Sequence, residues 1–597
     1  MNVVRGKADP IMRTEVRHGF RIDWDVPITM DDGLVLRANV YRPNDNGKYP
    51  VIMTHGPYAK DLAWQDGYAA VWNKFSAEHP DAVAGSTNIH QSWEVHDPEQ
   101  WVPEGWILIR VDSRGAGRSP GVIDCFTFRE AQDYAACIDW AGTQPWSNGK
   151  VGLAGISYYA INQWHVAGLQ PKHLAAMCIW EGASDFYRDM TYHGGILTPW
   201  LGIWYDNQVK SVQHGLGTNG PKSRANGELV GGPETLSPAE LAKNRTDFGE
   251  QIKRHPLDGP FHHSRSANWK NVKVPFLSAA SWGGQGLHPR GNYMGFLHAA
   301  SKQKWLEGHG LEHWTEFYTP YGMKLQKQFF GHFLKGEKNG WDKKPPVMLR
   351  IRHVGEKFVD RAENEWPIKR TKWTKAYLDP AHMTLEADAP AKGGKVTYDG
   401  MGDGVTFFLP PADKDVEVTG PLAAKLWVSS ETKDADLFLV VRLFSPDMKE
   451  IVFKGTIDPH TPIAQGWLRA SHRKLDKKLS KPWQPWHTHD EKQPLTPGRV
   501  YELDVEIWPT CIVIPAGYRL ALSVRGKDYA YHQAPPIVAL PGYPPFNGCG
   551  LFVHTDEKDR PKSVFGGKVT IHTGPSRPSH LLLPVIPARK TTAAKRR

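Results

Sequence analysis

The segment Val151-Gly-Leu-Ala-Gly-Ile-Ser-Tyr-Tyr-Ala160 holds a serine in a setting that could make it a nucleophile. An apolar run ends at Gly155, Ser157 follows, and a helix-like segment begins at once. A tight strand-to-helix turn of this kind raises a serine hydroxyl above a sheet, where it can attack an acyl carbon. Such a turn is strained and closely packed, so it needs small neighbours. Gly155 meets that need. Tyr159 and then Ala160 stand where a second glycine is usual, so the pattern is incomplete.

Ser157 alone is a weak nucleophile. It needs a base, an acid to orient the base, and donors for the oxyanion. The expected chain order is serine, acid, histidine, with the last two on loops after later strands. Gln303-Lys-Trp-Leu-Glu-Gly-His-Gly-Leu-Glu-His313 offers either His309 or His313 as base. The acid belongs after the preceding strand, in Ser281-Trp-Gly-Gly-Gln-Gly-Leu-His288, but that segment has no carboxylate. Glu181 and Asp185, just past the strand that follows the elbow, are the substitutes. Loop salt bridges or helix caps would explain them equally well. The backbone N–H of Tyr158 is one expected oxyanion donor, and the phenol of Tyr58, in Thr54-His-Gly-Pro-Tyr-Ala-Lys60, is the other. A tyrosine at a core or rim position would read the same way.

Two metal-like patterns are set aside. His309-Gly-Leu-Glu-His313 matches HxxEH, which requires a helix to bring both imidazoles to one face; Gly310 and the strand before it argue against one. Trp486-His-Thr-His-Asp490 lies in a β-rich region and reads as a polar loop. No metal or cofactor is expected.

The elements that must position these residues alternate between strand and helix in the first third. Apolar runs at 50–55, 106–112, 151–155 and 174–180 suit buried parallel strands, and 130–140 reads as an amphipathic helix. This pattern implies a doubly wound α/β sheet. Residues 186–268, rich in Gly, Pro, His and Trp, read as an insertion over the sheet's C-terminal edge, where ligands bind. The α/β pattern resumes at 269–343, with strands near 274–280 and 303–307 and a helix over 320–334. From 344 short strands recur between turns (347–354, 405–409, 423–428, 437–444, 500–507, 518–524, 568–572), which predicts a β-sandwich.

Composition narrows the class. A chain of 597 residues can bury more than one core. The 24 tryptophans could line a pocket for apolar acyl groups, although most must be core. The net charge of +10 is dispersed, which argues against nucleic acid; the one tight basic cluster, 590–597, reads as a disordered tail. Five cysteines without CxxC spacing suggest free thiols in a reducing compartment. The first 20 residues lack a signal-peptide core, and no apolar run is long enough to cross a membrane, so a cytoplasmic protein with no membrane partner is expected. If it self-associates, a symmetric homodimer is the commonest form.

Together these segments resemble the CocE/NonD family of serine hydrolases, which includes cocaine esterase and X-Pro dipeptidyl peptidases. The carrying pieces are Asp31-Asp-Gly-Leu-Val-Leu-Arg-Ala-Asn-Val-Tyr-Arg-Pro43, Gly56-Pro-Tyr-Ala-Lys60, Val111-Asp-Ser-Arg-Gly-Ala-Gly-Arg-Ser119, the elbow, Ser184-Asp-Phe-Tyr-Arg188 and Gln328-Phe-Phe-Gly-His-Phe-Leu-Lys-Gly336, with the β-rich final third. The resemblance spans nearly the whole chain. It implies an α/β-hydrolase core (1–185 and 269–343), a helical cap (186–268) and a C-terminal jelly-roll sandwich (344–597). It maps the nucleophile to Ser157 and the oxyanion donors to Tyr58 and Tyr158. The family's triad aspartate would fall on Gly284, leaving that role unfilled. His313 fits the base by spacing, and His309 fits if the loop is shorter. The implied reaction is cleavage of small ester or amide substrates through an acyl-enzyme. X-Pro peptidase and acyltransferase activities are alternatives, the former disfavoured because no acidic cluster for a substrate amine is evident. A catalytically degenerate binding protein is the alternative from a different class.

Overall fold

The computed structural model describes residues 11–538, 540 and 542–588. The basic tail at 590–597 lies outside them. Strands β1 (Arg13–Arg17), β2 (Phe20–Thr29), β3 (Val35–Pro43), β4 (Tyr49–Gly56), β5 (Ile107–Asp112), β6 (Ser147–Leu153), β7 (Leu174–Trp180), β8 (Phe276–Ser281), β9 (Lys304–His309), β10 (Val347–His353) and β11 (Lys357–Glu363) form one sheet. Their order is β1-β2-β3-β5-β4-β6-β7-β8-β9-β10-β11. From β5 to β10 every pairing is parallel. This centre is what the apolar runs require: β5 is buried at all six positions, and so is β8.

Helix α1 (Phe128–Gly142) packs on one face of the sheet and begins at Thr127, whose hydroxyl accepts the Glu130 N–H. Helix α2 (Tyr158–Ala167) starts directly at the elbow. Helices α3 (Pro289–His298) and α4 (Pro320–Phe330) follow β8 and β9, each with proline in its first turn. Between β7 and β8 the expected cap is mostly loop, with short helical pieces such as Trp200–Trp204, Pro238–Lys243 and Phe248–Lys253.

The strand expected to open the sandwich is instead β10. It extends the first sheet, with Leu306 paired to Val347, and β11 returns beside it as an antiparallel edge. The C-terminal region is a second sheet that closes on itself. Nine strands form the ring: Val416–Ser430, Tyr501–Ile514, Ala464–Arg469, Asp436–Phe444, Arg519–Arg525, Val405–Phe408, Thr384–Glu386, Lys372–Asp379 and His580–Ile586, the last pairing back to the first. Closure removes exposed strand edges around an aliphatic core that includes Leu426, Leu439, Val441, Val505 and Leu522. Among the described residues, all five cysteines are buried and free, and no helix is long and apolar enough to cross a membrane.

The two sheets share a buried, heavily bonded boundary. Arg290 of α3 places Nη1 2.9 Å from Asp189 and Nε 3.0 Å from Glu506 of the closed sheet. Gln285 donates to the Pro509 carbonyl and accepts from the Gln465 N–H. Gly283 lies so close to the Lys454 carbonyl that a Cβ there would sit 2.2 Å from it. A chain ended at Lys343 would bare these polar groups and apolar walls together. We expect it to be insoluble, or soluble without ester hydrolysis; a soluble, fully active truncation would show that the closed sheet is dispensable.

Candidate active site

Ser157 sits between β6 and α2 with φ 56° and ψ −112°. A non-glycine residue in that region costs on the order of 1–3 kcal/mol, so the surroundings must hold it there. They do so through main-chain bonds: Ile156 N–H donates to Glu94 O and Ser157 N–H to Trp180 O, each at 3.1 Å. Gly155 has φ 137°, and a Cβ on it would lie 2.4 Å from Tyr159 Cβ. Tyr159 fits in place of the usual glycine because Gly56 also clears space: a Cβ there would fall 2.7 Å from the Tyr159 ring.

The imidazole beside the serine belongs to His288, not to His309 or His313. Its Nε2 lies 3.2 Å from Ser157 Oγ. His288 ends the glycine-rich loop after β8 and immediately precedes α3. Burial, reinforced by the neighbouring His313, lowers its pKa well below the ordinary histidine value, leaving it neutral with a lone pair for the serine proton. Its Nδ1 has no hydrogen-bond partner and lies 3.9 Å from Glu181 Oε2, which also has none.

Glu181 follows β7 in a left-handed conformation, φ 59°, fully buried. Its Oε1 accepts the Ser281 N–H at 2.5 Å and lies 3.0 Å from His309 Nε2. Gly284 explains why the loop itself carries no acid. A Cβ at 284 would already stand 3.2 Å from Glu181 Oε2, so the carboxylate from β7 occupies the space an aspartate would need.

His309 lies behind this group, outside the cavity. Its Nδ1–H donates to Glu307 at 2.6 Å, and Tyr321 donates to the other oxygen of Glu307 at 2.9 Å. With both ring nitrogens turned to carboxylates, His309 has none left for Ser157. His313 does reach the cavity, but its Nδ1 bonds the Thr456 carbonyl and its Nε2 bonds Glu94 Oε1, each at 2.9 Å. Its ring stacks on His288 with centroids 5.4 Å apart. Glu94 is pushed up to about 7 by burial, against the pull of His313, and its Oε2 has no partner.

Tyr58 lines the same cavity. Trp204 Nε1–H donates to its oxygen at 3.0 Å, which leaves the phenol hydrogen free to point elsewhere. Burial raises its pKa well above 10, so it remains a donor. Tyr158 opens α2, where an N–H has no carbonyl within the helix to bond. Its hydroxyl donates to Glu130 at 2.7 Å and braces the helix start. Trp93, Phe126, Trp204, Leu287, Ile457 and Phe552 are among the other wall residues, around a cavity of ≈ 50 Å³. A wider cavity of ≈ 620 Å³ adjoins it, sharing Trp200, Tyr543 and Leu551.

The sequence reading missed His288, though the residue stood in the segment searched for an acid. The available signal was its place in the loop that leaves the C-terminal end of a buried parallel strand, directly before a helix-starting proline.

His309 also sets a stability profile. Burial opposes its charge, but Glu307 and then Glu181 override that and push its pKa up to about 10. Unfolded, it titrates near 6.5. Its contribution is therefore fully present below about pH 6.5 and is lost as pH rises toward about 10. His309→Asn should lower Tm most at neutral and mildly acid pH and flatten its decline between pH 7 and 10. Parallel Tm profiles for the two proteins would show that His309 is not held charged.

Two family models cover most of the chain: the X-Pro dipeptidyl-peptidase (S15 family) over residues 32–315, and the X-Pro dipeptidyl-peptidase C-terminal non-catalytic domain over 339–582. Cocaine esterase from Rhodococcus sp. (strain MB1 Bresler) is 23% identical, over 94% of this chain and 98% of its own. A putative serine esterase of Mycobacterium tuberculosis is 22% identical, over 87% and 91%. The crystal structure of a CocE/NonD family hydrolase from Staphylococcus aureus superposes with a TM-score of 0.82 at 30% identity, over 98% of this chain and 99% of that one. With these likenesses and its serine at the elbow, the chain belongs to the CocE/NonD family of serine hydrolases.

Proposed function

We propose that the protein hydrolyses esters of small acyl groups through an acyl-serine intermediate, with Ser157 as nucleophile, His288 as base and Glu181 as the acid behind it. The observation that carries this is the 3.2 Å approach of a neutral His288 Nε2 to Ser157 Oγ at a strained elbow. As Ser157 attacks, its proton passes to Nε2 and His288 becomes an imidazolium. That charge draws Nδ1–H toward Glu181 Oε2, closing a 3.9 Å gap that is open at rest; such bonds commonly tighten only with substrate bound. The oxyanion forms between the Tyr58 phenol and the Tyr158 N–H. Collapse of the tetrahedral intermediate expels the alcohol, which takes the proton back from His288, and water then repeats the sequence on the acyl-serine.

The narrow inner cavity suits a short acyl group, and the wider one a bulkier leaving group. Relatives named for ester cleavage and for X-Pro cleavage both fit this chemistry, and the apolar wall favours esters. Amide cleavage after an X-Pro unit is the second reading. Its support is the unpartnered Glu94 Oε2 in the cavity, which could receive a substrate ammonium. The fold likeness also supports reading the closed C-terminal sheet as the family's jelly roll.

Single variants assayed on p-nitrophenyl acetate and on an X-Pro anilide test the assignment. Ser157→Ala should lose activity by several orders of magnitude, as removal of a triad serine does elsewhere, roughly 10⁶ in one protease. His288→Ala should fall similarly and His313→Ala by far less; the reverse order would move the base to His313. Glu181→Gln should lower kcat with little change in KM, and Tyr58→Phe likewise by roughly 10². Gly284→Asp should lower activity rather than raise it, because the new carboxylate would crowd Glu181 Oε2. Preference for the anilide, lost in Glu94→Gln, would replace the esterase reading with the peptidase one.

A further inference from the structure

We propose that His18, His90 and Glu99, none of which lines the catalytic cavity, form a binding site for a divalent transition-metal ion of the zinc class. His18 lies at the tip of the β1–β2 hairpin, in a left-handed conformation with φ 53°, and is exposed. His90 lies on the loop leading toward Glu94, is 3% exposed, and has no partner on either ring nitrogen. Glu99 belongs to the single helical turn Pro98–Trp101. One ligand atom from each of the three lies within 4.8 Å of the others.

The chemistry points to a metal rather than to a hydrogen-bond network. A buried imidazole with two unpaired nitrogens costs free energy that one bond to a cation would offset. The ring is packed edge-on against aromatics, with Phe20 at 6.0 Å and Tyr41 at 5.7 Å between centroids, so its orientation is fixed. Arg110 and Arg17 oppose a cation there, but both are partly spent on main-chain oxygens: Arg110 on His90 O and His96 O, Arg17 on Ala225 O. Glu99 is braced from behind by Thr87, through its N–H at 2.9 Å and its hydroxyl at 2.6 Å, an outer-sphere arrangement that aims a ligating carboxylate.

Two imidazoles and one carboxylate match zinc's donor preference and leave a fourth position for water. Tetrahedral bonds of about 2.1 Å set ligand separations near roughly 3.4 Å, so the site must contract by up to about 1.4 Å. His18, on an exposed hairpin tip, can supply that movement. The ion would tie the N-terminal hairpin to the loop that delivers Glu94 to the active site.

The test is calorimetric titration of ZnCl₂ into metal-stripped full-length protein at neutral pH. The chain carries 27 histidines, so the comparison between proteins decides the matter. Wild type should show one site that His18→Ala and Glu99→Gln each weaken at least about tenfold and His90→Ala removes. His18→Ala and Glu99→Gln change partly exposed residues, so they should fold even if His90→Ala does not. Zinc should also raise Tm in wild type, and at the same zinc concentration raise it less in His18→Ala. Identical isotherms for wild type, His18→Ala and Glu99→Gln, or no zinc binding by wild type, would overturn the proposal.

Discussion

Glu181 brings a carboxylate into the buried interior of the molecule, at the C-terminal end of the parallel strands, and much of the site is arranged around that. An unpaired charge there would cost several kcal/mol, so it must be matched. The match is His309, charged and held between Glu181 and Glu307, with Tyr321 completing the second carboxylate. Glu181 Oε1 is committed to the Ser281 N–H and to His309, while Oε2 has no hydrogen-bond partner and lies 3.9 Å from His288 Nδ1. The cluster is thus bonded on the side away from the serine and left open toward His288.

This arrangement also constrains the loop that carries His288. The loop runs from Ser281, whose N–H bonds Glu181, through Gly283, pressed on the Lys454 carbonyl, to Gln285, bonded to both Pro509 and Gln465. One side of the loop is fixed by the hydrolase sheet and the other by the closed β sheet. His313 is fixed in the same way through Thr456. The second domain therefore sets the position of both cavity histidines as well as walling the cavity. No long linker lies between them: α4 runs into a short turn, and β10 rejoins the first sheet before the chain enters the second.

Much of this was legible in the sequence. The buried parallel strands show as apolar runs, and the elbow shows because only a small residue tolerates the position of Gly155. The fold class followed from those two signals. What stayed hidden depended on contacts between distant segments. The strand at Val347–His353 carries the same alternating pattern whether it joins one sheet or the other, so periodicity could not place it. Tyr159 in a glycine position looked like a defect until Gly56, about a hundred residues earlier, proved to make the room. His309 looked as good a base as any histidine after a strand; only Glu307 and Glu181 on either side show why it is not beside the serine.

The proposed acid, Glu181, rests on the same kind of contact. The family resemblance implies a carboxylate on the loop after β8, and here that position is Gly284. Neighbouring parallel strands end close together, with Ala279 of β8 paired to Trp180 of β7. A residue one step past β7 can therefore reach the space a residue three past β8 would fill. A second carboxyl group there would crowd Glu181 and would have to stay protonated, because like charges about 3 Å apart cannot both ionise. Glycine at 284 and glutamate at 181 are therefore a single choice. The left-handed backbone of Glu181 is what turns its side chain across to the neighbouring loop rather than along its own strand. The extra methylene of glutamate over aspartate supplies reach, and the His309 ion pair supplies the anchor that a side chain arriving from the adjacent strand would otherwise lack.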